Sequence, residues 1–122
     1  MKLQMTLAAI VALTLLHIAS PLLAADTETV FKFYCAQCHG LTGKGDGPNV
    51  TKDFPVSPRN FTDAAEMHKL TNADLKNVIL DGGPAVSKSP MMPPWGKTLT
   101  EEEADGLVEY LRTLCVCEGK QG

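Results

Sequence analysis

The sequence predicts a small all-α domain in which three to five short helices are joined by long loops. Thr71 and Thr100 are each followed three residues later by an acidic residue, which is the pattern of a helix capping box. Both lead into apolar residues spaced three or four apart, as in a helix with one buried face. No segment alternates apolar and polar residues in the way that predicts a strand.

The helices are predicted in chain order from their start and stop signals. Residues 26–34 form the first, with an apolar side, and residues 62–69 are compatible with a short one. The helix after Thr71 is expected to end near Gly82, because glycine commonly terminates helices. The helix after Thr100 begins with three glutamates, which the helix dipole favours in the first turn and which we interpret as capping charges.

Two segments rich in glycine and proline, residues 40–60 and 87–97, are predicted to be loops. Loops of this length bury little apolar surface, and a small domain buries only a small apolar core in total. A large apolar prosthetic group inside the domain would supply the missing burial.

The N-terminal segment, residues 1–25, has the pattern of a secretory signal peptide. Lys2 precedes the apolar run of residues 7–16, and small residues precede the first acidic one. We expect cleavage to leave residues 26–122 as one exported domain in the periplasm. The alternative is an uncleaved membrane tether, which the interruption of the apolar run before and at Pro21 disfavours.

The chain has 14 acidic and 11 basic residues. An acidic domain is a poor candidate for binding nucleic acid. All four cysteines follow the signal segment, and an exported protein meets an oxidising compartment, so each thiol there needs an explanation.

The stretch "CAQCHG" contains Cys35, Cys38 and His39 in the spacing Cys-x-x-Cys-His. Two such cysteines can hold zinc, cycle as a dithiol, or attach a c-type haem through thioether bonds. Haem attachment also employs the histidine, which is then placed to coordinate the iron. The export signal and the small helical domain favour haem over the other two.

A second iron ligand is predicted in "SPMMPPWG". Met92 precedes two prolines, which stiffen the backbone around it. Methionine opposite histidine raises the reduction potential of haem iron. We predict Met92 as the sixth ligand, with Met91, Met67, His68 or an open position as the alternatives.

These pieces together resemble a small, soluble, monohaem class I c-type cytochrome. "CAQCHG", "GLTGKGDGP", "MPPWG" and "LTEEEADGLVEYLRTL" match the family in this order over most of residues 27–114. The resemblance implies one covalent haem c, and that Phe31 packs against the last helix near Tyr110. It also implies that a proline carbonyl, matched by Pro48, accepts the ring N–H of the haem histidine; a plain turn proline is the alternative.

Two further side chains are candidates for haem contact. Arg59 could neutralise a haem propionate, or belong to a solvated loop. Trp95 could cover the haem edge, or fill the core beside the methionines.

Cys115 and Cys117 have no counterpart in the family pattern. The sequence is compatible with a buried thiol, a bond between the two, a disulfide-linked dimer, and a zinc site shared with the first cysteine pair.

The predicted function is single-electron transfer between respiratory-chain partners that dock transiently at the haem edge, and not enzymatic catalysis. Membrane contact is expected only through a membrane-bound partner. A haem protein with an open iron position, for ligand sensing or peroxidase-like chemistry, is the alternative, and a four-cysteine zinc site is the least favoured.

Overall fold

The computed structural model of the protein describes residues 26–121, so the predicted signal peptide lies outside the described residues. These residues form five helices and no strand, which confirms the all-α prediction. The helices are α1 (Thr27–Tyr34), α2 (Ala36–His39), α3 (Ala64–Met67), α4 (Asn72–Asp81) and α5 (Glu101–Cys115), with a 3₁₀ turn at Gly83–Val86 after α4.

The two predicted capping boxes are both formed. At the start of α4, the Thr71 hydroxyl accepts the Asp74 backbone N–H, and the Asp74 carboxylate accepts the Thr71 N–H. Thr100 and Glu103 make the same reciprocal pair at the start of α5. Each box satisfies donors that the first turn of a helix otherwise leaves unpaired.

Helix α5 is the centre of the packing, because α1, α3 and α4 all contact it. The Phe31 ring of α1 is 1% exposed and lies 5.2 Å from the Tyr110 ring of α5, as the resemblance implied. Met67 and Leu107 are also completely enclosed. Burying an apolar side chain of this size contributes about 1.5–3 kcal/mol, so this cluster supplies much of the domain's stability.

Arg112 ties the short middle helices to α5. Its guanidinium donates to the backbone oxygens of Met67 and Leu70, both at 2.8 Å, and to the Asn72 side chain at 3.0 Å. The end of α3 and the start of α4 are thereby fixed against α5.

Candidate functional site

Helices α1 and α2 place the Cys-x-x-Cys-His residues on one turn. Cys35 is the junction between the helices, and its carbonyl accepts the N–H groups of Cys38 at 3.2 Å and His39 at 2.9 Å. Both thiols are free and partly buried. Burial raises the pKa of Cys35 to about 11, and the neighbouring Cys38 adds to the effect. With its pKa raised, the Cys35 thiol stays protonated at neutral pH and is a weak nucleophile.

The imidazole of His39 is held in one orientation and one tautomer. Its Nδ1 lies 3.2 Å from the Arg59 carbonyl oxygen. Because that oxygen can only accept, Nδ1 carries the hydrogen and Nε2 keeps a lone pair. Burial lowers the pKa of His39, although the bond to Arg59 opposes the shift. A neutral imidazole oriented by a bond at the other nitrogen is the form that ligates metals.

Phe61 stacks on the histidine, with ring centroids 4.4 Å apart and planes inclined by 23°. It is buried and also meets Phe31 edge to face. No sequence motif identified Phe61, whose one signal was an aromatic residue at the end of a proline-rich segment.

The predicted bond from His39 to Pro48 is wrong in this structure, because Arg59 is the acceptor. The glycine-rich loop explains why Arg59, and not Pro48, is the acceptor. Gly45 has φ +81°, and a Cβ there would overlap the Pro58 carbonyl, so the absence of a side chain lets residues 58–59 reach the helix. Pro48 is exposed. Arg59 thus belongs to the site through its backbone.

The segment of residues 87–99, here called the Met loop, lies along the C-terminal end of α4. Trp95 N–H donates to the Ile79 carbonyl at 3.0 Å, and Gly83 N–H donates to the Met92 carbonyl at 2.9 Å. Met92 is half-buried, whereas Met91 is 48% exposed. Of the two methionines, Met92 is the one that the fold encloses.

Trp95 connects the Met loop to the cysteine turn. Its ring centroid lies 5.2 Å from that of Tyr34, the residue before Cys35. The structure therefore brings the predicted ligand loop beside the start of the Cys-x-x-Cys-His segment, and Trp95 packs against the core as a half-buried residue.

The remaining candidates are engaged elsewhere. Met67 is 0% exposed inside the helical core, and His68 is exposed with its ring 3.1 Å from the Glu118 carbonyl. The Arg59 guanidinium is 3.8 Å from the Glu66 carboxylate in a partly exposed pair. A role for that guanidinium at a haem propionate stays a prediction.

Cys115 and Cys117 form a disulfide with each other, with Cα atoms 5.1 Å apart. Neither sulfur is then left for zinc or for a second chain, which corrects the four-cysteine zinc site and the disulfide-linked dimer. Among residues 26–121 there is also no group of three or more His, Cys, Asp or Glu that could hold a metal ion.

The residues of the cysteine turn fit a haem c. Two free thiols and a neutral imidazole with a free Nε2 share one helical turn, and Phe61 backs the imidazole.

Within the described part of the chain, no helix is long and apolar enough to cross a membrane.

Comparisons with known proteins agree with this chemistry. The chain is 26% identical to cytochrome c-553 of Helicobacter pylori over 86% of its own length and 95% of the relative. It is 33% identical to cytochrome c-554(547) of Halothiobacillus neapolitanus over 75% of its own length and 96% of the relative. Among solved structures, the c-type cytochrome KustC0563 matches with a TM-score of 0.57 and 27% identity, over 74% of this chain and 98% of that one.

Residues 23–111 match the family described as cytochrome c oxidase, cbb3-type, subunit III. That match covers most of the chain and includes the cysteine turn, the glycine-rich loop, the Met loop and most of α5. The chain belongs to this cytochrome c family, as a small class I-like c-type cytochrome and a haem electron-transfer protein.

Proposed function

We propose that the protein carries one haem c, bonded through thioethers to Cys35 and Cys38, and passes single electrons between respiratory-chain partners in the periplasm. The observation that carries the proposal is the state of His39. Its Nδ1–H is committed to the Arg59 carbonyl, so Nε2 is available as a ligand. Phe61 fixes the ring plane.

Met92 is the proposed ligand on the other side of the iron. Its backbone is held by the bond from Gly83 and confined by the prolines that follow. The haem iron supplies reversible one-electron chemistry, at a potential that a methionine opposite histidine raises. Both ligands are side chains on anchored backbone, which limits rearrangement when the charge of the iron changes.

Two protein ligands leave no iron position for a substrate, which favours an electron carrier over an enzyme. The chain carries a formal net charge of −3. Partners with a basic docking surface are therefore expected to associate at rates that fall as salt rises. Export to the periplasm rests on the predicted signal segment.

The exported protein, expressed with its own N-terminus, tests the proposal. We expect a mass equal to residues 26–122 plus one haem, retention of that haem in acid–acetone, and a potentiometric titration that fits one electron. The ferrous spectrum should not change on addition of carbon monoxide. Rapid carbon monoxide binding would instead favour the open-iron alternative, and extractable haem would contradict thioether attachment.

A further inference from the structure

The disulfide at the end of α5 encloses a residue in an unfavourable backbone conformation. Cys115 is the last residue of α5 and is 6% exposed, whereas Cys117 is half-buried. Val116 between them has φ 50° and ψ 45° and is 91% exposed. Left-handed geometry is unusual for any non-glycine residue and more so for a β-branched one.

A purely stabilising role does not explain this arrangement. The bond spans a single intervening residue, so it restricts the unfolded chain less than a long loop closure would. Its entropic benefit is correspondingly small, and the left-handed valine opposes it. Backbone strain that the surrounding structure maintains is a feature of functional sites.

The turn at Val116 directs the C-terminal tail, residues 117–120, back onto the end of α3. The His68 ring lies 3.1 Å from the Glu118 carbonyl, and Lys120 N–H donates to the Leu70 carbonyl at 3.1 Å. That carbonyl also accepts from Arg112. The left-handed conformation of Val116, between the two bonded cysteines, therefore positions the tail for these contacts.

We propose that Cys115–Cys117 is a thiol–disulfide exchange site for an exported dithiol protein of the thioredoxin type, and that its reduction releases the tail from residues 68–70. The more accessible sulfur, that of Cys117, is the point of attack. A thiolate of the dithiol protein bonds to Cys117 Sγ while the Sγ–Sγ bond breaks, and Cys115 leaves as a thiolate and takes a proton.

The second thiol of the dithiol protein then attacks the mixed disulfide. Cys117 is released as a thiol, and the partner leaves with its own disulfide. The partner thus gives two electrons and two protons, and this chain ends with two thiols. The exchange is separate from the proposed haem function, because Cys35 and Cys38 would already be thioethers and the iron takes no part.

The first test counts thiols in folded holoprotein equilibrated with mixtures of reduced and oxidised dithiothreitol. The haem is kept ferrous throughout, so that its own reduction does not register. We expect two new thiols per chain with unchanged haem absorbance and helical circular dichroism. If thiols appear only when the protein unfolds, the bond is structural and the proposal is overturned.

The second test uses a thioredoxin whose resolving cysteine is replaced by serine. We expect a trapped mixed disulfide that peptide mass analysis places on Cys117. Trapping on Cys115, or no trapping at all, would overturn the proposed direction of attack or the exchange itself. The Cys115→Ser/Cys117→Ser double variant is the matched control and should trap nothing.

Two further readouts connect the bond to the tail. Hydrogen exchange should report loss of protection at the Lys120 amide on reduction, and the same loss in the double variant without reductant. Glycine adopts the left-handed conformation without the steric cost that valine has, so Val116→Gly should stabilise the disulfide form. The greater freedom of a glycine chain opposes this effect in part. We expect the disulfide to become about threefold harder to reduce. Unchanged protection of the Lys120 amide would show that the tail does not depend on the disulfide and would overturn its release. An unchanged reduction equilibrium in Val116→Gly would show that the left-handed valine does not favour reduction and would overturn that premise of the proposal.

Discussion

The two sides of the candidate haem site are built in different ways. His39 lies at the end of a helix, is half-buried like Met92, and is oriented by a carbonyl and a stacked ring. Met92 lies in a loop, is half-buried, and is held through its backbone. On the histidine side the imidazole itself is held, by a backbone carbonyl and a stacked ring, whereas on the methionine side only the backbone of Met92 is held, by the bond from Gly83 and the prolines that follow.

The largest effect is expected at the cysteine turn. Cys35→Ala/Cys38→Ala removes both proposed thioether bonds, so all covalently bound haem should be lost. Haem-stained denaturing gels and mass measurement give the readout. Cys115→Ser/Cys117→Ser is the control and should keep a full complement of haem. Covalent haem in the first variant would contradict the attachment site.

Met92→Ala tests the methionine side. We expect the reduction potential to fall on the order of 0.2 V, within the roughly 0.8 V over which axial ligands set haem potentials. Carbon monoxide binding to the ferrous protein should appear at the same time. Met91→Ala, at the exposed neighbour, is the control and should do neither. If Met91→Ala gave the larger change, the ligand assignment would be reversed.

Gly83→Ala tests whether the loop depends on close backbone approach. A Cβ at Gly83 would overlap the Ser89 carbonyl and lie 3.3 Å from Met92 Cβ. We expect a loss of about 1–3 kcal/mol in the free energy of unfolding, as for other overpacked sites. Ala85→Ser, on the exposed part of the same turn, should cost little. Equal stability of the two variants would show that the Met loop shifts to accommodate the added Cβ at little cost, and would contradict the dependence on close backbone approach.

Arg59→Gln is expected to have the smallest effect. Its ion pair with Glu66 is partly exposed, so stability should change by less than about 1 kcal/mol. If the guanidinium also neutralises a propionate, its removal favours the oxidised haem and lowers the potential by a few tens of millivolts, on the order expected for one screened charge. Glu66→Gln is the control, and an unchanged potential in Arg59→Gln would remove that residue from the haem environment.

The sequence predicted the helices well where local signals decide them. Thr71 and Thr100 begin α4 and α5 because a capping box is a local motif. The Phe31 contact with Tyr110 followed from family resemblance. These features depend on residues close in sequence or on a pattern that the family shares.

The features that the sequence did not predict depend on backbone groups brought together by the fold. Arg59 accepts from His39 through its carbonyl, which every residue type possesses, so no side-chain pattern could identify it. Phe61 is held beside the histidine through its backbone, because its N–H donates to the Gly43 carbonyl at 2.7 Å. The pairing of Cys115 with Cys117 was one of several open alternatives.

Ligation of the iron by both His39 and Met92 is the proposal from which the electron-carrier function follows. The most direct measurement is the absorbance of the purified ferric protein in the far red and near infrared, followed by carbon monoxide addition to the ferrous form. We predict a weak methionine–iron charge-transfer band that Met92→Ala abolishes, and a wild-type ferrous spectrum that carbon monoxide leaves unchanged. A high-spin ferric spectrum without that band, together with rapid carbon monoxide binding, would contradict the account.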